Sequence, residues 1–353
     1  MSVVIKQLNV NDAAGTMTEL QSNIANATGV FCSSEVRLPS QSRPVVARRD
    51  DRVVACCAVL MQQGTDSTGA IGWFAAYDDE EAVKALLDAA VDLLKQEGAT
   101  RVVGPMDGDT WHSYRFVISD FERAPFVKEP SNPAYYPKLW EAAGFSVAES
   151  YDTFVINEVE QAADKLKPFY KRVIRNRYRF EPILKKNYFA RLPVIYELSC
   201  RIFENNVLYS PIDYDEFEAM YRPAKSILKN GLSWLAWNSA GVPAGFIFVY
   251  PDVIKAVRSM QDGSGLIAKL NFLINRRKAT RSCIKSLGVI PESRGSGLSS
   301  ALMHLSLANS NQQGYHQSLM ALMHSSNDSR RMGGSFERPY RRYALYETKA
   351  VYD

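Results

Sequence analysis

The segment Cys283–His324 leaves a chain of this kind little freedom. An apolar run, Cys283–Ile290, is followed by a proline, then by Arg294-Gly295-Ser296-Gly297, and a helical pattern starts at once. In that helix Leu298, Ala301, Leu302, Leu305 and Ala308 repeat at the spacing of one helix face. A second apolar run, Ser318–His324, follows. Strand, glycine turn, helix, strand is an α/β unit. A glycine turn at a helix start offers unpaired backbone N–H groups and the positive end of the helix dipole, which suits phosphate. Arg294 adds charge to that site. The Lys-Ser/Thr of a Walker loop is absent, and no GxGxxG dinucleotide fingerprint is present.

The same order of elements occurs twice. Val3–Leu8 reads as a strand, and a polar helical stretch follows it. Arg43–Arg49 and Arg52–Met61 form a hairpin about Asp50-Asp51; Ala70–Tyr77 is a strand; Glu80–Gly98 is an amphipathic helix; Arg101–Pro105 is a strand. In the second half, Arg179–Lys185 reads as a strand before a helical region, and Ser233–Trp237 with Ala244–Tyr250 forms a hairpin. The hairpins, and the glycine turns near Gly144 and Gly333, are offset by about 190 residues, the mark of duplicated units. Each half carries an insertion, Gly104–Ser131 and Pro251–Ser282. At 353 residues, two cores are the expectation. The join falls near 155–175, dividing the chain into 1–160 and 161–353. Nine Lys or Arg lie between Lys165 and Lys186. They read as a solvated linker or as a basic flank for an anionic ligand.

The strand–loop–helix resembles the acyl-CoA pyrophosphate loop of the GCN5-related N-acetyltransferase (GNAT) superfamily, Arg/Gln-x-x-Gly-x-Gly/Ala. Arg294 and Gly297 match it, and Ser299 stands where Gly or Ala is usual. The segment Asn132–Phe145, with Tyr135 and Tyr136, resembles the last helix and turn of a GNAT fold and the first halves of tandem GNAT proteins. The implied architecture is α/β: two tandem GNAT-like folds, each a mixed central sheet flanked by helices. The implied donor is acetyl-CoA or another acyl-CoA, held by Leu287, Val289, Arg294, Gly295, Ser296, Gly297, Leu298 and Ser299. The counterpart loop of the first half, Ala76–Glu81, has four acids and no glycine, so the first fold is expected to bind no CoA.

His324, Glu204 and Tyr209 are candidates for the catalytic proton work, and each also reads as ordinary surface or helix-end chemistry. Asn327–Gly333 contains no tyrosine where GNAT members often carry the general acid. Trp111, His112, Tyr114 and Arg115 suit a substrate-binding loop, or a loop packed at an interface. The resemblance implies N-acylation of an amine on a small molecule or peptide. An aminoacyl-tRNA-dependent transferase of the FemX type and a non-catalytic GNAT-like binding protein stay open. Net charge is +4, too small to point to nucleic acid. Four scattered histidines and five scattered cysteines give no metal spacing. The odd cysteine count and the adjacent Cys56 and Cys57 suit reduced thiols in a cytoplasmic protein. Monomer and homodimer both stay open. No signal peptide or membrane-spanning run is expected, and no membrane partner; nucleic acid is expected only as tRNA under the FemX-type alternative.

Overall fold

The computed structural model describes residues 2–30, 35–63, 67–260, 265–327, 330, 332 and 334–349. The first half runs β1 (Val3–Gln7), α1 (Val10–Thr28), β2 (Arg43–Arg49), β3 (Arg52–Met61), β4 (Thr68–Ala76), α2 (Glu80–Gln96), β5 (Arg101–Gly104), β6 (Phe116–Val117), α3 (Tyr136–Ala142) and β7 (Ser146–Ile156). After α4 (Val159–Arg175) come β8 (Arg179–Pro182), α5 (Tyr188–Phe203), α6 (Tyr214–Tyr221), α7 (Ala224–Ile227), β9 (Trp234–Trp237) and β10 (Pro243–Pro251). The chain continues with α8 (Ile254–Arg258), α9 (Leu266–Asn275), β11 (Arg281–Val289), α10 (Leu298–Gln312), β12 (Gln317–His324) and β13 (Glu337–Lys349).

Local chemistry sets these limits. Asp50, at φ 52°, makes the tight β2–β3 turn. Asn238 Oδ1 accepts from the N–H of Ala240 and of Val242 and so closes β9 onto β10. Asp79 caps α2 by accepting from Ala82 N. The apolar stripe of α2, including Val83, Leu86, Leu87 and Leu94, is wholly buried against the first half of the sheet.

All strands join one mixed sheet in the order β1-β2-β3-β4-β5-β13-β7-β12-β11-β10-β9-β8, with β6 paired to β13. The order is symmetric about the β13–β7 pair. β4–β5 and β11–β12 are parallel, and the other pairs along the path are antiparallel. The duplication inferred from element order thus reappears strand by strand. The symmetry also exchanges strands: β13, the last of the described strands, completes the first half beside β5, and β7 completes the second half beside β12.

Several expectations are corrected. Arg179–Lys185 is a strand only to Pro182, because Ile183 onward turns into α5. The stretch 159–175 is a helix, not a linker or strand edge. Its apolar residues Val159, Ala162, Ala163, Leu166 and Val173 are buried, and the helix packs along α10. The long strands β7 and β13 lie outside the expected set, as do α8 and α9 inside the second insertion.

Candidate functional site

β11 and β12 pair only over Arg281–Ile284 and Gln317–Met320. Beyond that point they part. β12 turns aside through Leu322, at φ 56°, whose N–H is taken by Thr153 Oγ1 at 3.1 Å. β11 carries a bulge at the same place: Phe248 pairs with Ser286 and Val249 with Ile284, so Lys285 is the extra residue. Lys285 to Val289, including Leu287, then runs on with no strand partner on the β12 side among the described residues. Gly288 lies against α5, where a Cβ would come within 2.6 Å of Ile202.

This open edge leads into the glycine turn. Gly295 and Gly297 have φ of 73° and 89°, a region that costs other residues strain. Leu298 N is bonded by Ser296 Oγ at 3.2 Å, while α10 begins without a side-chain cap on Gly297. The orphan N–H groups of its first turn, including that of Ser299, are therefore available to an anion. A Cβ at Gly295 would meet nothing within 4 Å. Next to the turn lies α4, which carries Lys165, Lys167, Lys171, Arg172 and Arg175. Of the basic stretch read from sequence, the part on α4 runs beside this loop at Phe169, while Arg179 lies at Gly241 in the β9–β10 turn and Lys185 donates to Ser226 O. The loop, its cationic neighbour and the open strand edge fit an acyl-CoA. Phe169 of α4 lies 3.1 Å from the Cβ position of Gly297. Gly297→Val should lower acyl-CoA affinity at least tenfold, about 1.4 kcal/mol, by strain and by collision with Phe169. Calorimetry checks this, and a variant that binds like the wild type contradicts the loop assignment.

Where the strands part, the first half supplies a wall. Arg115, only 7% exposed and at φ 76°, lies between the rings of Tyr114 and Tyr151, 3.7 and 3.9 Å from their centres. Its Nη1 donates to Leu322 O at 3.3 Å. Tyr151 also packs edge-on against the ring of His324, whose Nε2 is 2.7 Å from Glu149 Oε2 and whose Nδ1 is 2.7 Å from Ser326 Oγ. Burial, and then the charge of Arg115, bring the Lys285 ammonium down to about 8. Tyr114 and Arg115 also line a cavity of about 450 Å3 between α1, β4, the first insertion and α8. Its apolar wall includes Ile24, Phe74, Ile254 and Val257. Its polar wall includes Asp107, whose carboxyl burial lifts to about 6.

The four substrate-binding candidates therefore divide. Tyr114 and Arg115 face this cavity. Trp111 instead braces the halves, with its ring against Tyr209 and Phe217 and its Nε1 donating to Ser210 O at 2.9 Å. His112 bonds Asp109 at 2.9 Å and lies 3.4 Å from Glu216 of α6; the Asp109 bond raises its pKa. Tyr209 is partly buried, and its hydroxyl pKa is driven up by burial. Glu204 is exposed at the end of α5. Within Asn327–Gly333, residues 328, 329, 331 and 333 lie outside the described set. Lys285, Glu149 and Tyr151 escaped the sequence reading. An isolated lysine in an apolar strand, and the strand β7 itself, were the available signals.

The equivalent parting of β4 and β5 in the first half is filled by its own chain. Met106 N donates to Ile71 O at 2.9 Å, Trp73 N donates to Asp107 Oδ1 at 2.5 Å, and a Cβ on Gly72 would lie 2.0 Å from Met106 O. The acids of its loop have other partners: Asp79 and Glu81 both bond Arg49 at 2.6 Å. Among the described residues there is no cluster able to hold a metal, and no helix is long and apolar enough to cross a membrane.

Each half holds six described strands on the main path, with one parallel pair that parts beside a helix, and the likeness to solved structures makes this a tandem GNAT fold. A tandem GNAT protein from the clavulanic acid biosynthesis pathway matches all of this chain and all of its own, with a TM-score of 0.52 and 13% identity. The GCN5-related glucosamine N-acetyltransferase region of a fungal multi-domain GH3 β-N-acetylglucosaminidase covers 98% of this chain and 38% of that one, with a TM-score of 0.54 and 13% identity. In sequence, the chain is 22% identical over 233 residues to the bacterial ceramide synthase of Caulobacter vibrioides. That match takes in 65% of this chain and 60% of the relative's length. No family model matches the chain.

Proposed function

We propose that this protein transfers an acyl group from an acyl-CoA to an amine, using the second fold for the donor and the seam for the acceptor. The observation that carries the reading is the open edge of β11 running into the Arg294–Gly297 turn. Backbone groups of Leu287 and Val289 take the pantetheine arm, and the turn with Ser299 takes the pyrophosphate. Residues 161–353 supply this site, and residues 1–160 serve as its wall.

In the reaction the neutral amine nitrogen attacks the thioester carbonyl. The C–N bond forms and the C–S bond breaks. The amine loses a proton, and the thiolate leaves and is protonated. We assign proton acceptance to Lys285, at the bulge where the strands part. His324, fixed by Glu149, is the second basic group of the wall.

The acceptor is proposed to be an amine carrying an apolar tail. A ceramide is the amide of a long-chain amino alcohol, and the name of the Caulobacter relative points there. The apolar wall of Ile24, Phe74, Ile254 and Val257 suits such a tail. Cytoplasmic acyl-CoA is the proposed donor pool.

The test is calorimetry with acetyl-CoA and a long-chain acyl-CoA, followed by thiol-release assays on short and long-chain amines. One donor per chain is expected, because Met106 and Asp107 close the first fold. Saturation at two per chain, or no binding at all, would overturn the reading.

A further inference from the structure

The second insertion presents a helix whose outward face is left uncovered by the described residues. In α9, Leu266, Ile267, Leu270, Leu273 and Ile274 are 85, 77, 57, 48 and 50% exposed. At about 100° per residue they fall within an arc of roughly 120°. The opposite side is the packed one. Ala268 is buried, Phe272 packs on the main core of the second half, and Asn275 donates to Ser259 Oγ at 3.0 Å. The apolar face is therefore outward because the helix is anchored by its other side. Scattered surface leucines are common; a continuous stripe of five is a contact surface.

Its rim is cationic. Between Val253 and Thr280 the sequence has six Lys or Arg and a single acid, Asp262. Lys255, Arg258, Lys269, Arg277 and Lys278 are exposed. Arg276 continues the patch towards Lys185 and Lys229; Arg276 Nη1 and Lys185 Nζ both donate to Ser226 O. Crowding of these like charges, after burial, lowers the Lys185 ammonium pKa. An apolar stripe framed by cations is complementary to an anionic lipid surface, where the stripe enters the acyl boundary and the rim meets phosphates.

We infer that α9 and its basic rim dock this protein on anionic membranes. The adjoining helix α8 gives Ile254 and Val257 to the seam cavity, so docking would put that cavity beside the lipid. The inference stands apart from acyl transfer: vesicle binding needs neither donor nor acceptor, so either can fail alone.

The experiment is co-sedimentation of the full chain with phosphatidylcholine vesicles, with and without phosphatidylglycerol. Binding is expected only with the anionic lipid, and it should fall as salt rises. Leu270→Glu should weaken it at least tenfold. Arg277→Glu with Lys278→Glu should weaken it about fivefold or more per cation. All three side chains are exposed, so melting temperatures should hold. No binding to anionic vesicles, or binding indifferent to both variants, overturns the inference. So does a concentration-dependent dimer that Leu270→Glu dissolves, since a second copy would then cover the stripe.

Discussion

Replacing Lys285 with methionine should cut kcat/KM for amine acylation by 10²–10⁴, the usual span for loss of a positioned proton acceptor. Methionine keeps much of the length and apolar stem and removes only the titrating group. The pH dependence makes the test specific. The ammonium sits at about 8 because burial and Arg115 disfavour its charge. The neutral amine, the form able to accept a proton, therefore grows as pH rises through 8. The wild-type profile should carry an inflection near 8 that the variant lacks, while both keep the rise that comes from deprotonation of the acceptor amine itself. Stability supplies an independent reading. The native state prefers the neutral form at a pH where the unfolded chain, near 10.5, still holds the proton. Stability thus rises with pH from about 8 to 10.5, and the burial penalty is full below 8. Lys285→Met should melt higher than the wild type at pH 7 and lack that rise. Loss of activity without a changed pH profile would leave Lys285 as packing only.

A second large effect is expected at the seam. Arg341 of β13 and Glu129 of the first insertion form an ion pair at 2.7 Å, with side chains 3% and 0% exposed. Glu129 also accepts from the Tyr343 hydroxyl and from Phe126 N. Arg341 donates to the carbonyls of Asp120 and Arg123. Arg341→Ala strands a buried carboxylate and should cost about 3–5 kcal/mol. Denaturant unfolding at pH 7 measures it. Adding Glu129→Gln should recover part of the loss, because the stranded charge is the main cost. A single variant within about 0.5 kcal/mol of wild type would mean that water reaches the pair.

Much of this was legible in the sequence because hydrophobic period and turn chemistry are local. The hairpin at Asp50-Asp51, the stripe of α2 and the turn at Gly297 each carry their own signal. β7 and β13 were not found, since strands such as SYDTFVI and YRRYALYE mix charges with apolar residues. Key polar side chains on them find their partners far away in sequence: Thr153 with Tyr343, Arg341 with Glu129. Lys285 was passed over for the same reason. Its lowered pKa comes from burial and then from Arg115, 170 positions away in sequence, at a bulge that only strand pairing reveals.

The exchange of β7 and β13 bears on how the chain is made. During synthesis β5 emerges early, yet its lasting neighbour is not available until Glu337–Lys349 has been translated. For more than two hundred residues the first half carries a bare sheet edge, the kind of surface that captures other chains. A nascent protein of this design gains from a holding chaperone, or from β7 covering that edge provisionally. The two halves then mature together, and a cut between them would give fragments that seek each other in order to close.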